Sequence, residues 1–352
     1  MARQNKYRAL LLGCGSRAGA HVRVYPDIPT IDLVAVCERD TERRERFMSQ
    51  CGIDVGFEDY ETALRQIRPD ILHIVTQPTQ RVWEVECAVE AGVRAVILEK
   101  PIALRPSELA RLSELHASSG VEIITNAQRR YFPEACDGVL KNIVRNRLGR
   151  LYCIRCSTKG NQMGMGPHLM DWLMLLLDEA QPESVWAMAY GISDESYQAT
   201  HLAPEHLFAQ YWFPDGPRVL FDCDPDALGT PEDVKGFNLH YDFLGTRGRL
   251  YLTQNGDYWY QSQDMPEPQF HKSSDTNQDV GQRDLTAAVA QWLDDGTPHL
   301  NRFHVGRAVA DALFGAQQSA HEGRRIELPH TFTDDQWMAM RHRAVSEDQD
   351  RA

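Results

Sequence analysis

A run of mostly apolar residues, 7–12, ends in Gly13-Cys14-Gly15-Ser16-Arg17-Ala18, and a helical pattern opens at about Ala18. No other feature of the 352-residue chain restricts its fold as much. In Gly13-x-Gly15-x-x-Ala18 the first glycine makes a tight turn. The second lets the backbone approach a pyrophosphate. The third position takes a small side chain so that helix and strand can touch, and alanine meets that need. Phosphate charge would lie at the helix start, where free N–H groups and the helix dipole favour it. A structural turn is the other reading of these residues.

Beyond this turn the chain repeats a βαβ rhythm. Apolar runs at 31–37, 71–76, 93–98 and 121–125 alternate with helical patterns at 41–50, 60–67, 82–91 and 107–118. Thr41 is the expected N-cap of the second helix, and Gly92 and Gly120 close two later ones. Strands alternating with helices of this length predict a parallel sheet. After about Ala127 the pattern changes. A helix is expected at 134–145. Strand-like runs come next at 151–158, 184–190, 206–213, 219–224, 237–244, 249–253 and 257–261. Turn residues separate them, as in Pro214-Asp215-Gly216, which predicts a mostly antiparallel sheet. Helices are expected at 167–177, 284–293 and 305–321, and a loosely packed polar tail from His330. The expected fold is α/β. A Rossmann dinucleotide-binding domain, 1–127, precedes an α/β domain, 128–352, with a large open sheet for substrate binding and oligomerisation.

Charge narrows the partners. Lys plus Arg number 37 and Asp plus Glu 50, a net charge of −13. That argues against a nucleic-acid or anionic-membrane surface, each of which needs clustered Lys and Arg. Eight widely spaced cysteines look like reduced thiols in a cytoplasmic protein rather than a disulfide framework. The polar N-terminus shows no signal peptide, and the longest apolar run, 172–177, cannot span a membrane. Cys153 and Cys156 face opposite sides of an expected strand, with no second pair to complete a zinc site. His201, His206 and His240 have no metal-ligand spacing. No metal is expected.

Local chemistry marks further positions. Glu38 ends the second strand, where a carboxylate accepts from ribose hydroxyls and repels a 2′-phosphate, so NAD is expected. Arg39 beside it keeps NADP open, because an arginine can hold that phosphate. Glu99-Lys100-Pro101 follows the strand at 93–98, at the end of a parallel sheet where ligands bind. A lysine there can hydrogen-bond a substrate hydroxyl, and Pro101 can fix the turn with a cis bond. A surface charge is the plainer reading of Lys100. Arg129, Arg130 and Tyr131 read equally as substrate contacts or as a solvated basic turn. Tyr258, Trp259 and Tyr260 read as packing, on a sugar or at an oligomer interface.

Taken in order, these residues resemble the glucose–fructose oxidoreductase and inositol dehydrogenase family (Gfo/Idh/MocA) over nearly the whole chain. The resemblance rests on Gly13 to Ala18 with His21, Val34 to Glu38, Thr76-Gln77-Pro78, Glu99-Lys100-Pro101 and Gln128 to Phe132. It continues in Gly166-Pro167-His168-Leu169-Met170-Asp171, Gly245 to Gly248 and Gly323 to Pro329. It implies NAD(P)-dependent hydride transfer to or from a hydroxyl or carbonyl of a sugar, sugar derivative or polyol. It implies cofactor contacts from Gly13, Gly15, Ser16, Arg17, Ala18, Glu38, Arg39, Thr76, Gln77, Pro78, Glu99 and Lys100. Lys100 and His168 are the implied catalytic pair, and Gln128, Arg130, Lys100, His168 and Asp171 the implied substrate contacts. A homodimer or homotetramer on the open sheet is expected.

Two departures from the family stand out. Gly164 occupies the place, four residues before His168, where many members carry an aspartate, and residues 160–166 read as an adaptable glycine- and methionine-containing loop. Arg81 stands where the family loop often has histidine. It is expected either at the nicotinamide or as a helix-start charge. Two other readings stay in view, and the missing aspartate feeds the second. One is a redox-neutral, NAD-dependent glycoside hydrolase or epimerase. The other is a non-catalytic nucleotide-binding regulatory protein.

Overall fold

The computed structural model describes residues 7–191, 201, 203–227 and 239–340. Residues 1–6 of the polar N-terminus, Phe237 and Asn238 of one expected strand, and 341–352 of the tail lie outside them. The first sheet has β1 (Tyr7–Leu12), β2 (Ile31–Cys37), β3 (Gly56–Phe57), β4 (Ile71–Ile74), β5 (Ala95–Glu99) and β6 (Glu122–Asn126). Its order is β3-β2-β1-β4-β5-β6, and every pairing is parallel. This is the doubly wound dinucleotide order, whose switch point lies between β1 and β4. Gly13 follows β1 and Thr76 follows β4, so both motifs lie at that crevice.

The connecting helices are α1 (Ala18–Val22), α2 (Thr41–Cys51), α3 (Tyr60–Ile67), α4 (Arg81–Glu90) and α5 (Pro106–Ser119). Asp40, not Thr41, caps α2: its side chain accepts from the Arg43 N–H. A carboxylate one residue earlier reaches the N3 amide, which is the usual cap geometry. Asp59 caps α3 in the same way.

The remaining helices are α6 (Pro133–Cys136), α7 (Val139–Asn146), α8 (Gln162–Leu176), α9 (Asn277–Asp295) and α10 (Phe303–Glu322). The single helix expected at 134–145 is two, α6 and α7, because Gly138 at φ +73° breaks the run. From Gln162 on, the stretch expected as a loop at 160–166 is helix. Asn161 caps α8 by accepting from the Gly164 N–H at 2.7 Å, and every residue of α8, Gly164, Gly166 and Pro167 included, is buried. A helix apolar on all sides belongs in an interior.

The second sheet has β7 (Leu151–Lys159), β8 (Ser184–Tyr190), β9 (His206–Trp212), β10 (Arg218–Asp224), β11 (Leu239–Gly245), β12 (Gly248–Thr253), β13 (Tyr258–Ser262), β14 (Met265–His271) and β15 (Ile326–Glu327). Its order is β14-β13-β12-β11-β7-β10-β9-β8-β15, and only β10–β7 is parallel. Strand β14 went unread because Pro266 and Pro268 argue against a strand; it lies at the sheet edge, where proline is tolerated. One face buries Ile154, Ala187, Tyr211, Phe221, Tyr241 and Leu252. The tail beyond His330 is not loose: Phe332, Trp337 and Met340 form a buried cluster.

By its contacts the chain divides into two units, neither continuous in sequence. The first is Met1–Ala103, Glu108–Tyr131 and Gln278–Arg307; the second is Leu104–Ser107, Phe132–Asn277 and Ala308–Ala352. Leu285, Val289 and Ala290 of α9 pack with Ala9, Ile71, Ala95 and Ile97. Sequence order alone gave no sign that α9 returns to the first sheet.

Candidate active site

Gly13 adopts φ +97°, and a Cβ there would stand 3.1 Å from the Thr76 side chain and backbone, so only glycine fits the turn. Its N–H donates to the Cys37 carbonyl at 2.8 Å, tying the ends of β1 and β2 together. A Cβ at Gly15 would meet nothing within 4 Å, so this backbone faces open space. Ser16 and Arg17 are exposed, whereas Ala18 is fully buried against Leu11, Val36 and Val75. The small residue is therefore required by packing.

Glu38 is fixed rather than solvated. Its Oε2 accepts from the Cys14 N–H at 3.0 Å and its Oε1 from the Asp40 N–H at 3.1 Å. Arg43 lies 3.6 Å from the same carboxylate, and Arg44 donates to the Glu38 carbonyl at 2.6 Å. Arg39 is exposed. The arginines that hold Glu38 are thus the two on α2, neither of which any sequence motif marks.

Arg81 opens α4, as one of its two expected places had it, but it is buried rather than a surface charge. It is 1% exposed, and its guanidinium donates to Thr76 Oγ1 and the Thr76 carbonyl, both at 2.9 Å, and to Glu84 Oε2 at 3.0 Å. A longer contact of 3.4 Å reaches the Glu99 carbonyl. Thr76 Oγ1 donates in turn to Glu84 Oε1 at 2.5 Å. One buried cation therefore clamps the loop after β4 to the end of β5. Pro78 is buried in that loop and Gln77 is exposed.

Lys100 follows β5 directly and is joined to Pro101 by a cis peptide bond. Burial pulls its ammonium down to about 8, Glu99 works against that fall, and Arg17 and Arg129 add to it. Burial alone would push the Glu99 carboxyl up. Contact with His21, then the charges of Arg17 and Lys100, hold it well below the usual carboxylate range. Asn126 Nδ2 donates to Glu99 Oε1 at 3.0 Å, and Asn126 and Gln282 exchange two amide hydrogen bonds of 3.0 and 3.1 Å.

Gln128, Arg129 and Arg130 sit in a buried turn, 6%, 7% and 1% exposed, so the solvated-turn reading does not hold. Gln128 Nε2 donates to Gln278 at 3.0 Å. His168 and Asp171 belong to the second unit, one turn apart on α8 and buried, and the His168 carbonyl accepts from Tyr241 Oη at 3.2 Å. Cys153 and Cys156 are buried free thiols, and no group of three or more His, Cys, Asp or Glu among the described residues could hold a metal. Arg81 was marked in the sequence only as a departure from the family loop, and Asn126 carried no motif beyond polarity at the end of an apolar run.

A glycine turn at the switch point, an open approach at Gly15 and a fixed carboxylate at the end of β2 make the first unit a dinucleotide-binding domain. Residues 7–127 match the GFO_IDH_MocA model, described as an oxidoreductase family with an NAD-binding Rossmann fold. The similarity to the Gfo/Idh/MocA family thus lies in the first domain. The chain is 28% identical over 128 residues to D-apiose dehydrogenase of Paraburkholderia graminis, covering 36% of this chain and 34% of that one. It is 24% identical over 196 residues to mouse trans-1,2-dihydrobenzene-1,2-diol dehydrogenase, covering 51% of this chain and 58% of that one. It therefore spans about a third to three-fifths of these relatives' length. The WlbA dehydrogenase of Bordetella pertussis, solved in complex with NADH and UDP-GlcNAcA, shares the fold. Its TM-score is 0.74 at 20% identity, over 93% of this chain and 98% of that one.

NAD fits the residues present. Gly13 and Gly15 leave the backbone clear for a pyrophosphate, and the Glu38 carboxylate suits ribose hydroxyls. No helix among the described residues is long and apolar enough to cross a membrane.

Proposed function

We propose that the chain is a cytoplasmic oxidoreductase that moves hydride between NAD and a hydroxyl or carbonyl of a sugar, sugar derivative or polyol. The observation that carries this reading is Lys100. It is a lysine of lowered pKa at the end of the parallel sheet where Gly13 and Thr76 also lie. The sugar names among the relatives support the substrate class.

When bound, the nicotinamide supplies a hydride acceptor or donor. Gly13, Gly15 and Glu38 would hold the dinucleotide, with Ser16, Arg17 and Thr76 to Pro78 beside it. Lys100 donates to the substrate oxygen and stabilises its developing negative charge, a task suited to an ammonium whose pKa lies near working pH. His168 keeps the proton-accepting role that the family resemblance implies. Gln128, Arg130 and Asp171 remain proposed substrate contacts.

Absorbance at 340 nm tests this reading, with gel-filtered protein, NAD or NADP, and a panel of aldoses, aldonates and inositols. Growth with at least one of them is expected, faster with NAD. Glu38→Ala should narrow that preference by about tenfold, since one charge repulsion of about 1.4 kcal/mol is removed. Tightly held nucleotide with no net reduction would contradict the reading and favour the redox-neutral enzyme or the regulatory protein.

A homodimer or homotetramer through the second sheet is part of the proposal. The outer face carries a row across adjacent strands that includes Trp186, Leu220, Tyr251, Trp259 and Phe270. Phe270 is 79% exposed and Met188 on the same sheet 58%. Tyr251 stacks on Trp259 at 6.1 Å, and Arg249 lies 5.1 Å over the Trp259 ring. The row also holds Gln210, Arg155 and Asp242, so apolar and polar groups alternate across it, and the exposed Phe270 and Met188 mark it as a candidate interaction surface. Met188→Lys with Phe270→Glu should yield a monomer in sedimentation analysis. An unchanged mass would remove this face from the assembly.

A further inference from the structure

Three polar side chains run through the apolar interior of the first unit without a part in the chemistry above. Tyr25 Oη lies 3.0 Å from His73 Nδ1, and His73 Nε2 lies 2.9 Å from His21 Nδ1. His21 Nε2 lies 2.8 Å from Glu99 Oε1. Both histidines are wholly buried and Tyr25 nearly so. His21 comes from α1, Tyr25 from the turn after it, and His73 from the middle of β4. The His21–Glu99 approach is close but off the line of the ring N–H, so it is an electrostatic contact between the imidazole edge and the carboxylate.

Counting protons decides which edge of His21 faces Glu99. Burial raises the Tyr25 phenol, which stays protonated. Burial first, and His21 second, hold the His73 imidazole well below its ordinary value, with Glu99 working the other way, so His73 is neutral. A neutral imidazole donates from one nitrogen and accepts at the other. Two polarities are then available. If Tyr25 donates to His73 Nδ1, His73 donates from Nε2 to His21 Nδ1, and the remaining His21 proton lies on Nε2 beside Glu99. In the reverse order, a bare nitrogen lone pair would face the carboxylate in an apolar setting, which is repulsive. With one ring proton on His21 only the first order fits a charged Glu99; with two, the reverse order fits as well, so in each arrangement that fits, the Nε2–H edge of His21 faces the carboxylate.

We propose that Tyr25, His73 and His21 form a hydrogen-bonded chain that positions Glu99, turning the Nε2–H edge of His21 toward it and keeping an anion beside Lys100. These are positioning residues acting through Glu99. The other groups facing Glu99 are Arg17, at 3.9 Å, Asn126 on β6, Lys100 itself, and Arg81 at its carbonyl. Lys100 is faced by Glu99, Arg17 and Arg129. Because the Glu99 charge raises the Lys100 pKa, neutralising Glu99 lowers it further. The inference rests on the reading of Lys100 as the proton-handling group, but it is measured without turnover, so the two fail separately.

The test uses the cofactor-free protein with 15N-labelled histidine rings. His21 should carry a proton on Nε2 from pH 6 to 8, and Tyr25→Phe should shift the His73 tautomer balance. A His21 ring whose only proton lies on Nδ1 would overturn the proposal. The second readout is the pH midpoint of Lys100 acylation by acetic anhydride, followed by mass spectrometry. His21→Leu should lower that midpoint by about one unit, the scale of a lost neighbouring charge. An unchanged midpoint in a folded variant would reduce the chain to packing and overturn the proposal. Should His21→Leu not fold, Tyr25→Phe, which removes a single oxygen, still decides the tautomers. A wild-type midpoint at the ordinary lysine value of about 10.4 would contradict the Lys100 reading alone.

Discussion

Replacing Lys100 with methionine should lower kcat by about 10²–10⁴-fold, the range of a lost proton-handling group, while NADH binding stays within about twofold. Methionine preserves the length and apolar stem of the side chain, so a lost ammonium is the main change. Lys100→Arg should not rescue the rate, because a guanidinium differs in shape and does not titrate near neutrality. The pH profile carries the same information. The account needs the ammonium, whose pKa is about 8, so the rate of oxidation should fall as pH rises through that value. The fall should be absent in Lys100→Arg. NADH fluorescence titration and steady-state rates from pH 6 to 10 measure all of this. Near-normal turnover in Lys100→Met would remove this residue from the chemistry.

Arg81→Met should destabilise the protein by about 3–5 kcal/mol, as expected when one partner of a buried ion pair is removed. The Glu84 carboxylate, 2% exposed, would then keep a hydroxyl for company and lose its cation. The carbonyls of Thr76 and Glu99 would lose a donor as well. Adding Glu84→Leu should recover a large part of the loss, because the stranded charge rather than the missing contact is the main cost. Urea denaturation of the three variants tests this. The single variant should also raise the KM for NAD, since the clamp fixes the loop after β4. A loss below about 1 kcal/mol would place the pair among weak surface contacts.

Five of the six strands of the first sheet were legible because each reads as a short apolar run near a glycine or proline stop, and parallel order comes from the helices between them; β3, only two residues long, gave no such run. Gly13, Ala18 and Glu38 were legible because their roles rest on size, backbone freedom and charge at fixed spacing. Arg81 was not. Its role depends on carbonyls from two strands that only the fold brings together. The chain through His73 was hidden for the same reason, since a histidine in an apolar run shows burial and not a partner. The start of α8 misled because glycines and a proline weaken helix propensity, while burial on every side outweighs that local preference. The tail misled because Phe332, Trp337 and Met340 are too widely spaced among polar residues to read as a core.

The central claim is direct hydride transfer between substrate carbon and nicotinamide. The measurement is one turnover with a polyol deuterated at the carbon it oxidises, followed by mass spectrometry of the reduced cofactor. The account predicts NADH heavier by one mass unit, with the deuterium on the nicotinamide ring. Deuterium that is lost to water, or found back in the sugar with the cofactor oxidised, would contradict it.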